Sequence, residues 1–168
     1  MKIIGIDIGT TLGWAMLDDG AVVDSGAVDL HPHAWEGIGM RVVRARRTTD
    51  VLAERHPGAV VVVELVRRHV GTQAAQVYGA ILGGVTSRCE EIGMAYTFVS
   101  VQAAKLAATG DGAAGKPEMI RAARERLGID ASEDEADAAW IGVAGWLRER
   151  DPTRPAEGQA KAKRRRKA

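Results

Sequence analysis

Four acidic residues are placed where acids are costly unless they have work to do. Asp7 interrupts the apolar run IIGIDIG, where an unpaired buried carboxylate is strongly disfavoured. Glu64 closes the run AVVVV, the strand end at which α/β sheets usually present ligands. Asp134 and Asp137 lie three apart in SEDEADAAWIGVAGWL, so on a helix they share one face. Each alone has a simpler use: Asp7 as a turn or cap, Glu64 as an ion-pair partner, the two aspartates as acids at a helix N-terminus. Drawn together, the four would repel too strongly to stand without cations. Ligands that are all oxygen select Mg²⁺, with Mn²⁺ a plausible substitute. Two such ions about 3.5–4 Å apart suit in-line phosphodiester cleavage, one activating a water and the other stabilising the leaving 3′-oxygen.

The acids converge only if particular elements carry them. Lys2–Ile8 runs apolar and reads as a strand. Leu12–Leu17 and Ala21–Val28 follow, joined at Asp18-Asp19-Gly20, a hairpin signal. These three strands form an antiparallel meander. About Ile38–Arg55 has apolar residues at helical spacing, ended by Pro57-Gly58. Ala59–Val63 is β-branched almost throughout and reads as a strand buried on both faces. A helix over Thr72–Ile92, a strand over Ala95–Val99, a short helix near Gln102–Ala107 and a Gly/Ala loop over Thr109–Gly115 come next. Helices Lys116–Leu127 and Glu133–Arg148 close the domain, the last one opened by a capping box of Ser132 and Glu135. The order predicts an α/β fold: a mixed five-stranded sheet, antiparallel in its first three strands and then parallel, with helices on both faces. Convergence requires the first and fourth strands to be neighbours and the last helix to cross their ends. The small residues of 72–92 (Ala74, Ala75, Gly79, Ala80, Gly83, Gly84) allow either close packing on the sheet or a dimer face.

With 168 residues the chain suits one domain over 1–150. Residues 151–168 hold seven Lys/Arg against Asp151 and Glu157, a net of +5, while residues 1–150 hold 16 basic and 20 acidic side chains, a net of −4. A basic tail too polar to pack, on a mildly acidic body, points to a polyanionic partner. Cys89 is the only cysteine, which excludes an intrachain disulfide and a cysteine-based zinc site. No run approaches the roughly 20 apolar residues of a membrane span, and the N-terminus lacks the pattern of a signal peptide. A cytoplasmic protein without membrane association is expected.

GIDIGTTLGWA at the start, VVVVE at 60–64 and DEADAAWI at 134–141 resemble, in order and spacing, the RuvC family of Holliday-junction resolvases. KLAATGDGAAGKPEMI at 105–120 is similar to the family's Lys…Gly-x-Gly…Lys stretch. The resemblance covers residues 1 to about 148. It implies an RNase H-like domain, a homodimer, two Mg²⁺ ions and paired nicks across a four-way junction. It carries the catalytic and metal-binding roles onto Asp7, Glu64, Asp134 and Asp137, and it implies that Lys105 and Lys116 contact DNA. The family often has an aromatic residue shortly after the strand-end Glu; here LVRRHVGTQ offers Arg67, Arg68 and His69. A guanidinium can also stack on a base or bind phosphate, which keeps DNA binding and opens the alternative of a broader nuclease for flaps, forks and R-loops. GIDIGTTLGWA also resembles the first phosphate loop of actin-like ATPases and sugar kinases, but that fold closes over nucleotide with two domains, on the order of 350 residues. No nucleotide cofactor is expected. A non-catalytic DNA-binding module would have no use for all four carboxylates.

Overall fold

The computed structural model describes residues 1–67 and 69–151; Arg68 and nearly all of the basic tail, 152–168, lie outside the described residues. The strands are β1 (Lys2–Ile8), β2 (Thr11–Asp18), β3 (Ala21–Asp29), β4 (Val60–Glu64) and β5 (Tyr96–Val99). They form one sheet of order β3-β2-β1-β4-β5. The β1–β2 and β2–β3 pairs are antiparallel, with a register shift at Met16/Leu17, and β1–β4 and β4–β5 are parallel. This is the expected mixed sheet, and the first and fourth strands are indeed neighbours.

The helices are α1 (Gly39–Arg55), α2 (Thr72–Ile92), α3 (Val101–Thr109), α4 (Lys116–Ala122) and α5 (Glu133–Glu149). One sheet face sends Ile4, Ile6, Ile8, Val61 and Val63 against Ala45 and Leu52 of α1 and Ile81, Val85 and Cys89 of α2. The other sends Ile3, Ala15, Leu17 and Val62 against α3, α4 and α5. Both faces are therefore covered, which is why β1 and β4 read as continuous apolar runs rather than alternating ones.

One feature departs from the sequence expectation, and one choice left open is narrowed. Lys116–Leu127 is not one regular helix: α4 passes into a π-helical turn at Ala123–Leu127 that ends on Gly128 at φ 68°. The Arg126 guanidinium just before that end donates to the carbonyls of Ala107 (2.9 Å) and Ala108, satisfying the last turn of α3, and lies 5.2 Å over the Trp140 ring. Of the two uses open to the small residues of α2, the glycines show no close packing on the sheet. Gly84 packs on α1, where an added Cβ would meet Val42 Cγ1 at 2.6 Å, but Gly79 and Gly83 face open space.

Among the described glycines the tightest approaches are those of α5 to β1 and β2. A Cβ on Gly5 of β1 would lie 2.0 Å from the Ala138 carbonyl oxygen, and one on Gly13 of β2 would lie 2.1 Å from that of Asp134. From the helix side, a Cβ on Gly142 would meet Leu17 and one on Gly145 would meet Val62. Glycines on both partners bring helix backbone directly onto strand backbone, the positional meaning of a glycine inside a strand.

Candidate active site

Strand parity decides which way the acids point. Ile3, Gly5 and Asp7 alternate with Ile4, Ile6 and Ile8, so Asp7 emerges on the face covered by α5. On β4, Glu64 shares parity with Val62, which also lies on the α5 face. Asp7 is directly opposite Gly13 in the β1–β2 ladder, and Gly13 is the position against which the Asp134 backbone rests. The capping box forms as expected: Ser132 Oγ accepts from the Glu135 N–H at 3.4 Å and Glu135 Oε2 accepts from the Ser132 N–H at 3.0 Å. It sets Asp134 and Asp137 in the first turns of α5, over the ends of β1 and β4.

The electrostatics show the four acids acting on one another. Burial pushes the Asp7 carboxyl up to about 8, and Glu64, Asp137 and Asp134 push in the same direction. Glu64 is raised to about 7, first by burial and then by Asp137, with Lys105 opposing. Asp137 is raised by burial, Glu133 and Asp134, against Lys116 and Lys105. Asp134 is raised by burial and by Glu133. Among the described residues no group of three His, Cys, Asp or Glu side chains stands close enough to hold a metal ion as placed. The donors are hard oxygens, half-buried and with raised proton affinities, which fits a divalent cation such as Mg²⁺ or Mn²⁺ chemically.

Lys105 and Lys116 are brought to the same place. With Glu64, Asp137, Val101, Ala104 and Met119 they line a cleft of about 240 Å³. Lys105 comes from α3, whose Ser100 cap accepts the Ala103 N–H at 3.2 Å. Lys116 opens α4, is exposed, and is paired with Glu133. The Trp140 indole N–H of α5 donates to the Met119 carbonyl at 3.2 Å, tying α4 to the helix that carries the aspartates. Arg67 is exposed on the segment beyond Glu64. His69, in the same segment, lies against Tyr78, ring centroids 4.9 Å apart. Arg68 lies outside the described residues.

Sequence reasoning missed four contributors. Glu133 neutralises Lys116 and adds negative potential to both aspartates; its place next to the Asp-x-x-Asp pair was the available signal. Gly5 and Gly13 were visible as glycines inside strand patterns. Tyr78 had no signal: its hydroxyl donates to the Glu64 carbonyl at 2.6 Å and accepts from the Val66 N–H at 3.1 Å. It thereby holds the backbone where β4 stops and the segment bearing Arg67 and His69 begins.

A five-stranded mixed sheet with acids at adjacent strand ends, facing an acid-bearing helix that crosses them, defines the RNase H-like class. A protein of Anaeromyxobacter dehalogenans (strain 2CP-C) called crossover junction endodeoxyribonuclease RuvC is 33% identical to the chain over 171 residues, covering 96% of this chain and 89% of that one. The chain belongs to the RuvC family. The solved structure of Thermus thermophilus RuvC matches with a TM-score of 0.71 at 26% identity, over 89% of this chain and 96% of that one. The same protein in complex with a Holliday junction substrate matches in fold with a TM-score of 0.78 at 24% identity, over 89% and 95% of the two chains. No protein-family model matches the chain.

Proposed function

We propose that the chain is a metal-dependent endonuclease that resolves four-way DNA junctions by hydrolysing a phosphodiester in each of two strands, as a homodimer. The observation that carries it is the convergence of Asp7, Glu64, Asp134 and Asp137 at one sheet end, with Lys105 and Lys116 in the same cleft as Glu64 and Asp137. The relative's name, crossover junction endodeoxyribonuclease, supports the substrate class.

Asp7, Glu64, Asp134 and Asp137 would hold two Mg²⁺ ions, which when bound supply positive charge to the attacking water and the departing 3′-oxygen. Hydrolysis adds water to phosphorus and breaks the P–O3′ bond, leaving a 5′-phosphate and a 3′-hydroxyl. The lysines oppose the negative charge that builds on the phosphoryl oxygens. Lys105 faces the acids from α3. Lys116 is held by Glu133, so an arriving phosphate competes with that carboxylate for the ammonium. Arg67, exposed just beyond Glu64, would add a cation beside the bound DNA backbone.

The homodimer reading draws on the exposed Gly79, Ala80 and Gly83 of α2, a surface on which a second copy could approach closely. The cytoplasmic reading draws on the lone Cys89 and on DNA as substrate; among the described residues no helix is long and apolar enough to cross a membrane. A second reading, a nuclease for flaps, forks and R-loops as well, is favoured by the segment after Glu64: Arg67 is exposed, and the His69 ring is engaged with Tyr78 rather than free.

End-labelled four-way junction, flap, fork, R-loop and linear duplex, each incubated with Mg²⁺ or EDTA, test the proposal. Paired nicks on the junction at least about tenfold faster than any cut on the other substrates, and none in EDTA, are expected. Equal rates on all branched forms would establish the second reading. Tight junction binding without cleavage would overturn both.

A further inference from the structure

The loop between β3 and α1 leaves the sheet at the end where β1 and β4 present their acids. Asp29 pairs with Thr11 and the Leu30 N–H donates to the Thr10 carbonyl at 3.0 Å, next to the end of β1. The loop, on the β3 edge, and the Leu65–Gly71 segment, beyond β4, both leave the sheet at the end that carries the carboxylates, and the loop leads to α1 on the face opposite α5. The loop is tightly tied. Asp29 Oδ1 accepts from the His31 N–H at 2.8 Å and contacts His31 Nδ1 at 2.7 Å. Glu36 Oε2 accepts from the His33 N–H at 2.7 Å and from Arg44 at 2.6 Å, while the Glu36 N–H donates to the His33 carbonyl at 3.0 Å. Arg44 also donates to the His31 carbonyl at 2.5 Å.

In the middle of this network stands Trp35, at φ +72° and 104% exposed. A bulky side chain in left-handed backbone is a genuine outlier, and such outliers persist only where the surroundings over-determine them. Trp14 and Trp140 are buried, at 8% and 1% exposure. Trp35 contributes nothing to the core, yet ion pairs and hydrogen bonds on both sides hold its backbone in a disfavoured conformation. The loop is arranged to present the ring. The segment on the other flank lacks a free aromatic, since its one ring, His69, rests on Tyr78.

We propose that Trp35 is a DNA-contact residue, a platform on which an unpaired base of branched DNA stacks as the strand approaches the carboxylates from the β3 side. The inference rests on the nuclease reading above. An indole face accepts any base, and stacking of this kind is sequence-tolerant.

The full chain bearing Asp7→Asn, expected to bind without cutting, is compared with the same chain carrying Trp35→Phe or Trp35→Gly. The glycine variant removes the ring and is at ease at positive φ, so it folds. Affinity for a four-way junction should fall about tenfold in Trp35→Gly and much less in Trp35→Phe. Affinity for linear duplex should not change, and the melting temperature of Trp35→Gly should hold or rise. 2-Aminopurine at the junction centre should be quenched by the parent and not by Trp35→Gly. Junction affinity within twofold of the parent, or an equal loss on linear duplex, overturns the stacking role; if the chain with Asp7 intact still cuts junctions, the nuclease reading stands. A parent chain that neither binds nor cuts branched DNA overturns both.

Discussion

Asp7 is where the price of the site is most visible. Its proton affinity is raised in the folded chain, so between the ordinary carboxylate range and about 8 the folded state binds more protons than the unfolded one. The sign follows: metal-free stability falls as pH rises through that window, and the loss is complete above the folded value. Asp7→Asn removes it, so in EDTA at pH 8.5 the variant should melt higher than the parent, by at least about 2 °C, with the two curves converging near pH 4. The same change should abolish cleavage while junction binding survives. Thermal melts across pH, set beside a cleavage assay, check both halves; a variant that cuts at the parental rate removes Asp7 from the mechanism. Tyr78 makes a subtler prediction. Tyr78→Phe deletes the hydroxyl that bridges the Glu64 carbonyl and the Val66 N–H, a loss of about 0.5–1.5 kcal/mol of stability. Because those bonds position Glu64, kcat should fall and half-saturation by Mg²⁺ should shift to higher concentration, with junction Kd nearly unchanged. A shift in melting temperature alone would mean that the hydroxyl only braces the fold.

Between elements, the decisive contact is α5 against β1 and β2. Gly13→Ala would put a methyl carbon 2.1 Å from the Asp134 carbonyl oxygen, so the helix must lift and carry both aspartates with it. Overpacking of this kind costs about 1–3 kcal/mol, and cleavage should fall at least about tenfold. Gly39→Ala is the control: at the start of α1 its Cβ meets open space, and exchanging a helical glycine for alanine should hold or raise stability, by up to about 1 kcal/mol. Melting temperatures and cleavage rates of the pair distinguish a positional effect from a general aversion to substitution. This contact also marks how far the sequence could be read. The strands and helices were legible because their periods and punctuation are local: Asp18-Asp19-Gly20, Pro57-Gly58 and the Ser132/Glu135 cap each act within a few residues. Asp7 and Glu64 were legible because an acid at the end of a doubly buried strand has few other uses. The hydroxyl bridge of Tyr78, the pairing of Lys116 with Glu133 and the π-helical turn at Ala123–Leu127 depend on partners far along the chain. For the same reason the small residues of α2 left sheet contact and a dimer face equally open, whereas the tight sheet contact formed at Gly5 and Gly13, which single-strand patterns mark only as breaks.

For the whole molecule, charge is divided between body and tail, and affinity should divide with it. Removing residues 152–168 takes away seven Lys/Arg, so binding to any DNA should weaken and log K should depend less steeply on log salt. Titrations at several salt concentrations check this; parallel slopes would mean that the tail does not meet phosphate. Cleavage of bound junction should persist, because the acids and lysines of the cleft lie within the body. One buried residue far from that chemistry also offers a way to watch the body open. Cys89, on α2, is fully enclosed between helix and sheet, and burial lifts its thiol to about 11. Alkylating reagents attack thiolates, so in the closed fold this sulfur is doubly silent: unreachable and protonated. Its labelling rate therefore counts the moments when the α1/α2 layer parts from the sheet, turning the chain's single cysteine into a clock for one half of its own core.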